Sequence, residues 1–285
     1  KLYSVIKPFV LFSLFALLLL FFSRSLLLFW QFDRVVDIEM FMRVLINGFR
    51  IDISSVAYLL FIPALIHPFA IVSRFKNAWM KILNLWFLVG LCLLLFFELA
   101  TPAFIAEYDL RPNRLFIEYL IYPKEVASML FKGHLLEILL SFTGLIIGGK
   151  LAWGLLNTFM VENKASNRVG FLPAISSFFV LVVVLFAGAR GTLGHRPINP
   201  SLVYFSTDPL INSLTLNSAY SVAFAFKQIQ NEKNAAKMYG KMTDDRILRL
   251  VKQASELPEN VYNNKNIPTL AARPANFKGK PKNLV

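Results

Sequence analysis

Cysteine is almost absent from this chain, because Cys92 is the single one among 285 residues. One cysteine excludes a disulfide within the chain and a zinc site built on cysteine thiolates. Histidine is nearly as rare: His67, His134 and His195 are scattered along the chain, at no metal-ligand spacing from one another. The sequence therefore predicts no metal site in this chain.

Recognisable catalytic motifs are also missing. The sequence has no P-loop, no GxSxG elbow, no HExxH helix and no pair of carboxylates at a useful spacing. Phosphoryl chemistry in the membrane part would need a metal held by acids or histidines, and no such cluster occurs. We therefore predict no catalytic residue and no cofactor in this chain.

Apolar residues are abundant, at 56% of the chain, and they form five long runs. The runs cover residues 8–30, 51–72, 79–104, 135–156 and 169–189. Crossing a bilayer takes around 20 residues of helix, and a helix pairs its own backbone amides inside lipid. The sequence therefore predicts an all-α polytopic membrane protein, with a five-helix transmembrane domain over residues 1–190.

The chain becomes polar after Arg190, and residues 191–276 are predicted to form an extracytoplasmic helical linker. Asp208 before Pro209 predicts a helix from 209 towards 230. Thr243 predicts the cap of a second helix, which ends before Pro258. Residues 277–285 resemble the first strand of a further domain, and we interpret them as its truncated start.

Basic residues favour one orientation of the five spans. The short links 73–78 and 157–168 are basic, and they fall on the same side as the N-terminus. Because cytoplasmic links carry an excess of Lys and Arg, this pattern predicts a cytoplasmic N-terminus. Five crossings then place the C-terminal part outside the cytoplasm.

The net charge of the chain is +13, and the part from Arg190 onward has 14 Lys and Arg against 6 Asp and Glu. Such a segment beside a bilayer favours anionic lipid headgroups or anionic polymers. A solvated linker without a charged partner explains the composition equally well. We do not interpret the charge as a nucleic-acid-binding surface.

Two charged residues lie inside the apolar runs. Arg24 and Glu98 both fall in the outer half of the bilayer in the predicted orientation, where charges pair or reach the headgroups. A direct Arg24–Glu98 pair is one expectation, and independent contact with headgroups is the alternative. In the fourth run Gly144 and Gly148 allow close approach of another helix, most simply one of the same chain.

The densest polar cluster lies between the third and fourth runs. Its candidates for contact with a lipid headgroup or an outer domain are Glu107, Asp109, Arg111, Arg114, Glu118 and Lys124. Arg111 and Arg114 carry planar donors that suit a phosphate, and Arg114 can pair with Glu118 four residues on. The alternative is an interfacial loop held by its own ion pairs.

Three stretches resemble one family. Residues 107–120 (EYDLRPNRLFIEYL) with 122–125 (YPKE) resemble the outer loop of bacterial lipoteichoic acid synthase-like proteins, which are membrane-bound sulfatase or phosphoglycerol transferase relatives. Residues 190–200 (RGTLGHRPINP), with 208–214 (DPLINSL) and 217–221 (NSAYS), are similar to the segment after their last span. Residues 280–285 (KPKNLV) resemble the start of their alkaline-phosphatase-like catalytic domain.

The resemblance implies a specific activity for the parent protein. Family members move phosphoglycerol from phosphatidylglycerol to an extracytoplasmic glycan or lipid acceptor, using a Thr nucleophile and a divalent metal, typically manganese. It also implies a bacterial cytoplasmic-membrane location and membrane lipids as partners, together with the chain's own catalytic domain. The family's catalytic residues are expected beyond Val285, so none is assigned here.

Two other functions fit the same pattern. A phosphoethanolamine transferase or a sulfatase would share the architecture. A non-enzymatic lipid-binding membrane module would need no further domain.

Overall fold

The fold is that of an all-α, multi-pass membrane protein, as the sequence predicts. The computed structural model describes residues 2–164, 170–238, 241–264 and 266–272, and within these ranges it contains helices and no strand. The α-helices are α1 (Leu2–Trp30), α2 (Ile38–Ala70), α3 (Lys76–Tyr108), α4 (Arg114–Tyr119), α5 (Pro123–Gly133), α6 (Leu135–Lys164), α7 (Phe171–Arg190), α8 (Pro200–Val203), α9 (Pro209–Leu214), α10 (Ser218–Met238) and α11 (Asp244–Ala254). By length and composition, α1, α2, α3, α6 and α7 can each cross a membrane.

Helix α2 begins earlier than the apolar run that predicts it. Residues 38–50, which lie between the first two apolar runs, are helical because Asp37 caps them and accepts a hydrogen bond from the Met40 amide at 2.7 Å. Glu39 and Arg43 stabilise this first part as an exposed pair four residues apart. At 33 residues α2 is about 50 Å long, so it extends past a hydrocarbon core of about 30 Å.

The spans pack as alternating up and down helices. Helix α2 packs against α7 and α1, and α3 packs against α6. Phe12 of α1 and Phe87 of α3 stack at 4.7 Å between ring centroids, and both are fully buried together with Leu60 of α2. Helices α1, α3 and α7 finish at the same end of the bundle. We call this end the linker end, because residues 191–228 follow α7 there.

Glycines in α6 allow α6 to approach α3 closely, as the spacing predicts. A Cβ atom at Gly148 would lie 2.3 Å from a methyl carbon of Leu95, and one at Gly144 would lie 3.2 Å from Leu99. Gly154 of the same helix faces open space, with no neighbouring atom within 4 Å. The close contact is therefore within the chain.

Replacing Gly148 by leucine is expected to destabilise the α3–α6 contact by about 1–3 kcal/mol, the usual cost of forcing extra atoms into a packed interface. The matched variant, Gly154→Leu, should change stability by less than about 0.5 kcal/mol, since its side chain meets no neighbour. Thermal unfolding of the purified protein in mild detergent measures both. Equal stability of the two variants would contradict this account of the interface.

The chain divides into two compact units, Lys1–Gln228 and Ile229–Val285. Residues 191–228, which fall within the predicted linker, belong to the same unit as the spans. In the second unit, α11 begins directly after Thr243, as predicted, with Asp244 and Asp245 in its first turn, but the Thr243 side chain makes no capping hydrogen bond. The predicted domain start at 277–285 lies outside the described residues.

Candidate functional site at the linker end

Two buried ion pairs lie at the linker end of the bundle. In the first, the Arg24 guanidinium of α1 donates two hydrogen bonds to Asp52 of α2, with Nη1–Oδ2 at 2.5 Å and Nη2–Oδ1 at 2.7 Å. Both side chains have 0% exposure. This bidentate geometry is the strongest form of an arginine–carboxylate contact, and it ties α1 to α2.

The second pair joins Glu98 of α3 to Arg111, which lies in the turn between α3 and α4. Arg111 Nη1 donates to both carboxylate oxygens of Glu98, at 2.9 and 3.0 Å. Glu98 also accepts hydrogen bonds from the Ser23 hydroxyl at 2.5 Å and from the Ser218 amide at 3.1 Å. Each carboxylate oxygen therefore has partners, as a charge in a dry environment requires.

Residues after the last span complete both pairs. Asn217 Nδ2 donates to Asp52 Oδ1 and to Ser55 Oγ, each at 2.9 Å, and Arg24 Nε donates to the Leu214 carbonyl at 3.0 Å. Ser218 Oγ lies 3.2 Å from Arg111 Nη1 and 2.6 Å from Thr101 Oγ1. We call Arg24, Asp52, Glu98, Arg111, Asn217 and Ser218 the linker-end network.

Apolar packing holds the same segment against the spans. Leu210, Ile211 and Leu214 of α9 are fully buried in one cluster. Their partners in this cluster are Leu27 and Leu28 of α1, Val44 of α2 and Ile105 of α3. Because polar and apolar contacts act together, the chain leaving α7 is fixed to the bundle as far as Ser218.

The single helix predicted from 209 towards 230 is wrong, because it is two helices. Asp208 caps α9, and its carboxylate accepts from the Leu210 amide at 2.8 Å, as predicted. The break falls at residues 215–217, where Asn217 Oδ1 accepts from the Tyr220 amide at 2.8 Å and so caps α10. The same amide side chain donates to Asp52, so the break brings a capping residue into the network.

Gly48 of α2 is the position that lets Arg24 lie against α2. A Cβ atom there would be 2.3 Å from Arg24 Nε and 2.4 Å from Arg24 Cζ. Those atoms are held by Asp52 and Leu214, so they cannot move away as a free side chain would. Any residue other than glycine would therefore displace the ion pair.

The charges of the linker-end network balance. Two guanidinium groups face two carboxylates, and burial lowers the pKa of Arg111, while the Glu98 charge opposes this shift. Arg111 Nε and Nη2 are buried without a hydrogen-bond partner among the described residues. Because both ion pairs are buried and join different segments, the network holds the residues after the last span against the bundle.

The sequence-predicted candidates separate into buried and exposed groups. Arg24 and Glu98, expected to pair with each other, instead pair with Asp52 and Arg111 within one network. Arg111 is 2% exposed, so it does not share a phosphate site with Arg114, which is exposed and pairs with Glu118 at 2.7 Å as predicted. Arg111 and Arg114 therefore do not form the predicted pair of hydrogen-bond donors to one phosphate.

The remaining candidates lie on the surface of the linker end. Asp109 ends α3 in a left-handed conformation, with φ of 54°, and accepts from Arg34 at 2.9 Å, which raises the pKa of Arg34. Glu107 and Lys124 are exposed, and α4 and α5 contain no buried residue. The described residues contain no group of three or more His, Cys, Asp or Glu placed to hold a metal.

Sequence reasoning missed Asp52, Asn217 and Gly48. Asp52 could have been identified from the sequence, because it is an acidic residue at the start of the second apolar run. Glu98, in the third run, was identified by the same feature. Asn217 and Gly48 have no comparable signal, since their roles depend on which helix faces them.

No protein-family model matches this chain. No solved structure matches it significantly either.

Proposed function

We propose that this chain is the membrane and linker part of a bacterial phosphoglycerol transferase-like protein. It would fix an extracytoplasmic catalytic domain beside the lipid that donates the transferred group, with phosphatidylglycerol as the donor and a glycan or lipid as the acceptor. Tethering replaces an encounter from solution by a local one, which raises the effective concentration of domain and lipid. The divalent metal that the resemblance implies, typically manganese, is assigned to that catalytic domain.

One observation supports this proposal above the others. Three of the segments that carry the resemblance, residues 107–120, 190–200 and 208–221, converge on the linker end, although the first is far in the chain from the other two. Arg111 of the first stretch lies 3.2 Å from Ser218 Oγ of the third, and Tyr220 of the third donates to the Ile198 carbonyl of the second at 3.0 Å. Resemblance in three separate stretches is expected where one shared site needs all three.

The second stretch is also fixed to a span. Arg50 of α2 donates to the Gly191 carbonyl at 3.1 Å, and Ile198 packs in a buried cluster with Ile51, Val203 and Leu216. Burial raises the pKa of Tyr220 to about 12, so its hydroxyl stays a donor to Ile198 at physiological pH. A rigid attachment at this point is what an anchor needs if it is to set the position of a following domain.

The surface around α4 and α5 supports a lipid-proximal role. Ile121, Tyr122 and Phe131 are more than 60% exposed there, and α5 leads directly into the span α6. Aromatic and apolar side chains at the start of a span suit the headgroup layer, where Arg114 and Lys124 can meet anionic lipid. Bound lipid at this surface would be a donor held close to the catalytic domain.

The proposed orientation is testable because Cys92 is the only native cysteine. In a Cys92→Ser background, a cysteine replacing Lys132 at the linker end should react with a membrane-impermeant maleimide added outside intact cells. A cysteine replacing Asn77, at the opposite end, should react only after permeabilisation, since basic links face the cytoplasm. The reverse pattern would reject the proposed orientation and with it the extracytoplasmic domain.

The activity itself is tested on the protein encoded by the complete reading frame, reconstituted in liposomes. With phosphatidylglycerol labelled in its headgroup glycerol, the label should move to a water-soluble or acceptor-bound product, leaving diacylglycerol. Matched liposomes carrying headgroup-labelled phosphatidylethanolamine should show no release. Release of ethanolamine label alone would favour the phosphoethanolamine transferase, and retention of both labels would reject a lipid-dependent transferase.

A further inference from the structure

An apolar cavity lies inside the membrane-spanning part, apart from the linker-end network. Its volume is about 450 Å³, and its lining includes Phe15 of α1, Leu91, Cys92 and Leu95 of α3, and Gly148 and Ala152 of α6. The small residues of α6 recur every fourth position, so the side of α6 that faces α1 and α3 has little side-chain volume. The cavity lies beside these small residues, between α6 and the side chains of α1 and α3.

The cavity opens to the surface that faces lipid. Ile147, Leu151 and Leu155 belong to its lining, and their side chains are 55%, 63% and 44% exposed on α6. These exposed side chains belong to one of the five spans, where bilayer chains are the surrounding medium. The cavity is therefore continuous with an existing protein–lipid interface and is not sealed within the protein.

The chemistry of the lining residues indicates whether water or hydrocarbon fills the cavity. Every lining residue is apolar or glycine apart from the weakly polar Cys92, so the cavity offers water almost none of the two to four hydrogen bonds it needs. Leaving the space empty would forfeit dispersion contacts on three helices. A hydrocarbon chain needs no hydrogen bonds, and it would restore the dispersion contacts.

The dimensions fit one chain. Gly144 and Leu155 mark the extent of the lining on α6, and eleven helical steps of 1.5 Å between them give a length of about 16 Å. Half of a 30 Å hydrocarbon core is about 15 Å, which is the depth that one leaflet's acyl chains cover. The volume also lies within the usual range of small-ligand cavities, about 300–1,000 Å³.

We propose that this cavity is a binding site for one acyl chain of a bilayer lipid. The chain lies between α1, α3 and α6, with contacts on three sides, whereas a lipid beside a single exposed helix has contacts on one side. That difference makes the site saturable and distinguishes it from general contact with lipid. The proposal depends on the cavity and not on the transferase activity, and binding is measured without turnover.

The first test uses the intact protein in liposomes, with a phospholipid that carries a diazirine at the end of one acyl chain. Photolabelling at Gly148 and Ala152 should saturate as the mole fraction of the probe rises. Labelling at Leu140, which is 63% exposed on α6 but lies outside the cavity, should rise in proportion to the probe. Proportional labelling at all three positions would overturn the proposal, because it would show surrounding lipid only.

Paired variants fill the cavity or leave it open. Replacing Ala152 by phenylalanine places a ring in the cavity and should reduce labelling at Leu91–Leu95 at least fivefold. The matched variant Gly154→Phe, on the same helix but in open space, should leave that labelling unchanged. Unchanged labelling in a folded Ala152→Phe protein would overturn the proposal.

A second measurement needs no substitution. Cys92 lines the cavity and is partly exposed, so a lipophilic maleimide should alkylate it in delipidated protein. Adding phospholipid back should slow that reaction at least fivefold, and an unaffected rate would overturn the proposal. Loading the diazirine lipid into one leaflet at a time, by cyclodextrin exchange, then identifies the leaflet that supplies the chain.

Discussion

Replacing Asp52 by alanine is expected to lower the free energy of unfolding by about 3–5 kcal/mol, the usual result of leaving one partner of a buried ion pair without its counter-charge. Arg24 would then be buried at 0% exposure with only the Leu214 carbonyl as an acceptor. Asn217 would lose one of its two acceptors at the same time. Thermal or denaturant unfolding of the purified protein in detergent measures the loss.

A matched exposed pair provides the control for Asp52. Glu39→Ala breaks the Glu39–Arg43 pair of α2, in which both side chains are more than half exposed, and should change stability by less than about 1 kcal/mol. The double variant Arg24→Met with Asp52→Leu removes both buried charges and should be more stable than Asp52→Ala alone. If Asp52→Ala were as mild as Glu39→Ala, the buried pair would not be the attachment we describe.

Replacing Glu98 by alanine should loosen the segment after the last span without unfolding the bundle. The change removes the acceptor of Arg111, the Ser23 hydroxyl and the Ser218 amide together. A local loss of about 3 kcal/mol corresponds to roughly a hundredfold faster amide exchange, since every 1.4 kcal/mol is a factor of ten. We expect that increase in residues 209–218, measured by hydrogen exchange with mass spectrometry.

The residues in which amide exchange becomes faster distinguish local loosening of residues 209–218 from unfolding of the whole bundle. Exchange in residues 144–152 of α6 should stay unchanged in Glu98→Ala, because that contact with α3 is apolar and lies outside the linker-end network. Glu98→Gln, which keeps oxygen and loses charge, should give an intermediate rate in 209–218. Faster exchange throughout the spans would show that Glu98 stabilises the bundle as a whole and not the attachment of the linker.

In the protein that the complete reading frame encodes, the same variant tests the proposed function. If the anchor acts by fixing the catalytic domain near the bilayer, Glu98→Ala should reduce transfer from liposomal lipid. Transfer from a short-chain, water-soluble lipid analogue should change much less, because it needs no position at the membrane. Equal losses on both substrates would indicate damage to the catalytic domain and would count against the positioning role.

The elements that follow from local composition were predicted from the sequence. Five apolar runs predict the five spans, because burial in lipid depends on a sum of hydrophobicity over about 20 consecutive residues. The Asp208–Pro209 and Thr243 signals predict where α9 and α11 begin, because helix starts depend on neighbours within one turn. The Arg114–Glu118 pair depends in the same way on four-residue spacing.

The tertiary structure decided which charged side chains pair with each other in the linker-end network. Arg24 pairs with Asp52 and not with Glu98, and Arg111 is buried while Arg114 three residues on is exposed. The helix also stops at 215–217, where Asn217 meets a carboxylate 165 positions away in the sequence. Sequence by itself determined the five helices of the described residues that are long and apolar enough to span a membrane, because hydropathy and capping are local. Which charges meet depends on the rotation and depth of each helix against its neighbours, and only the packed bundle fixes those.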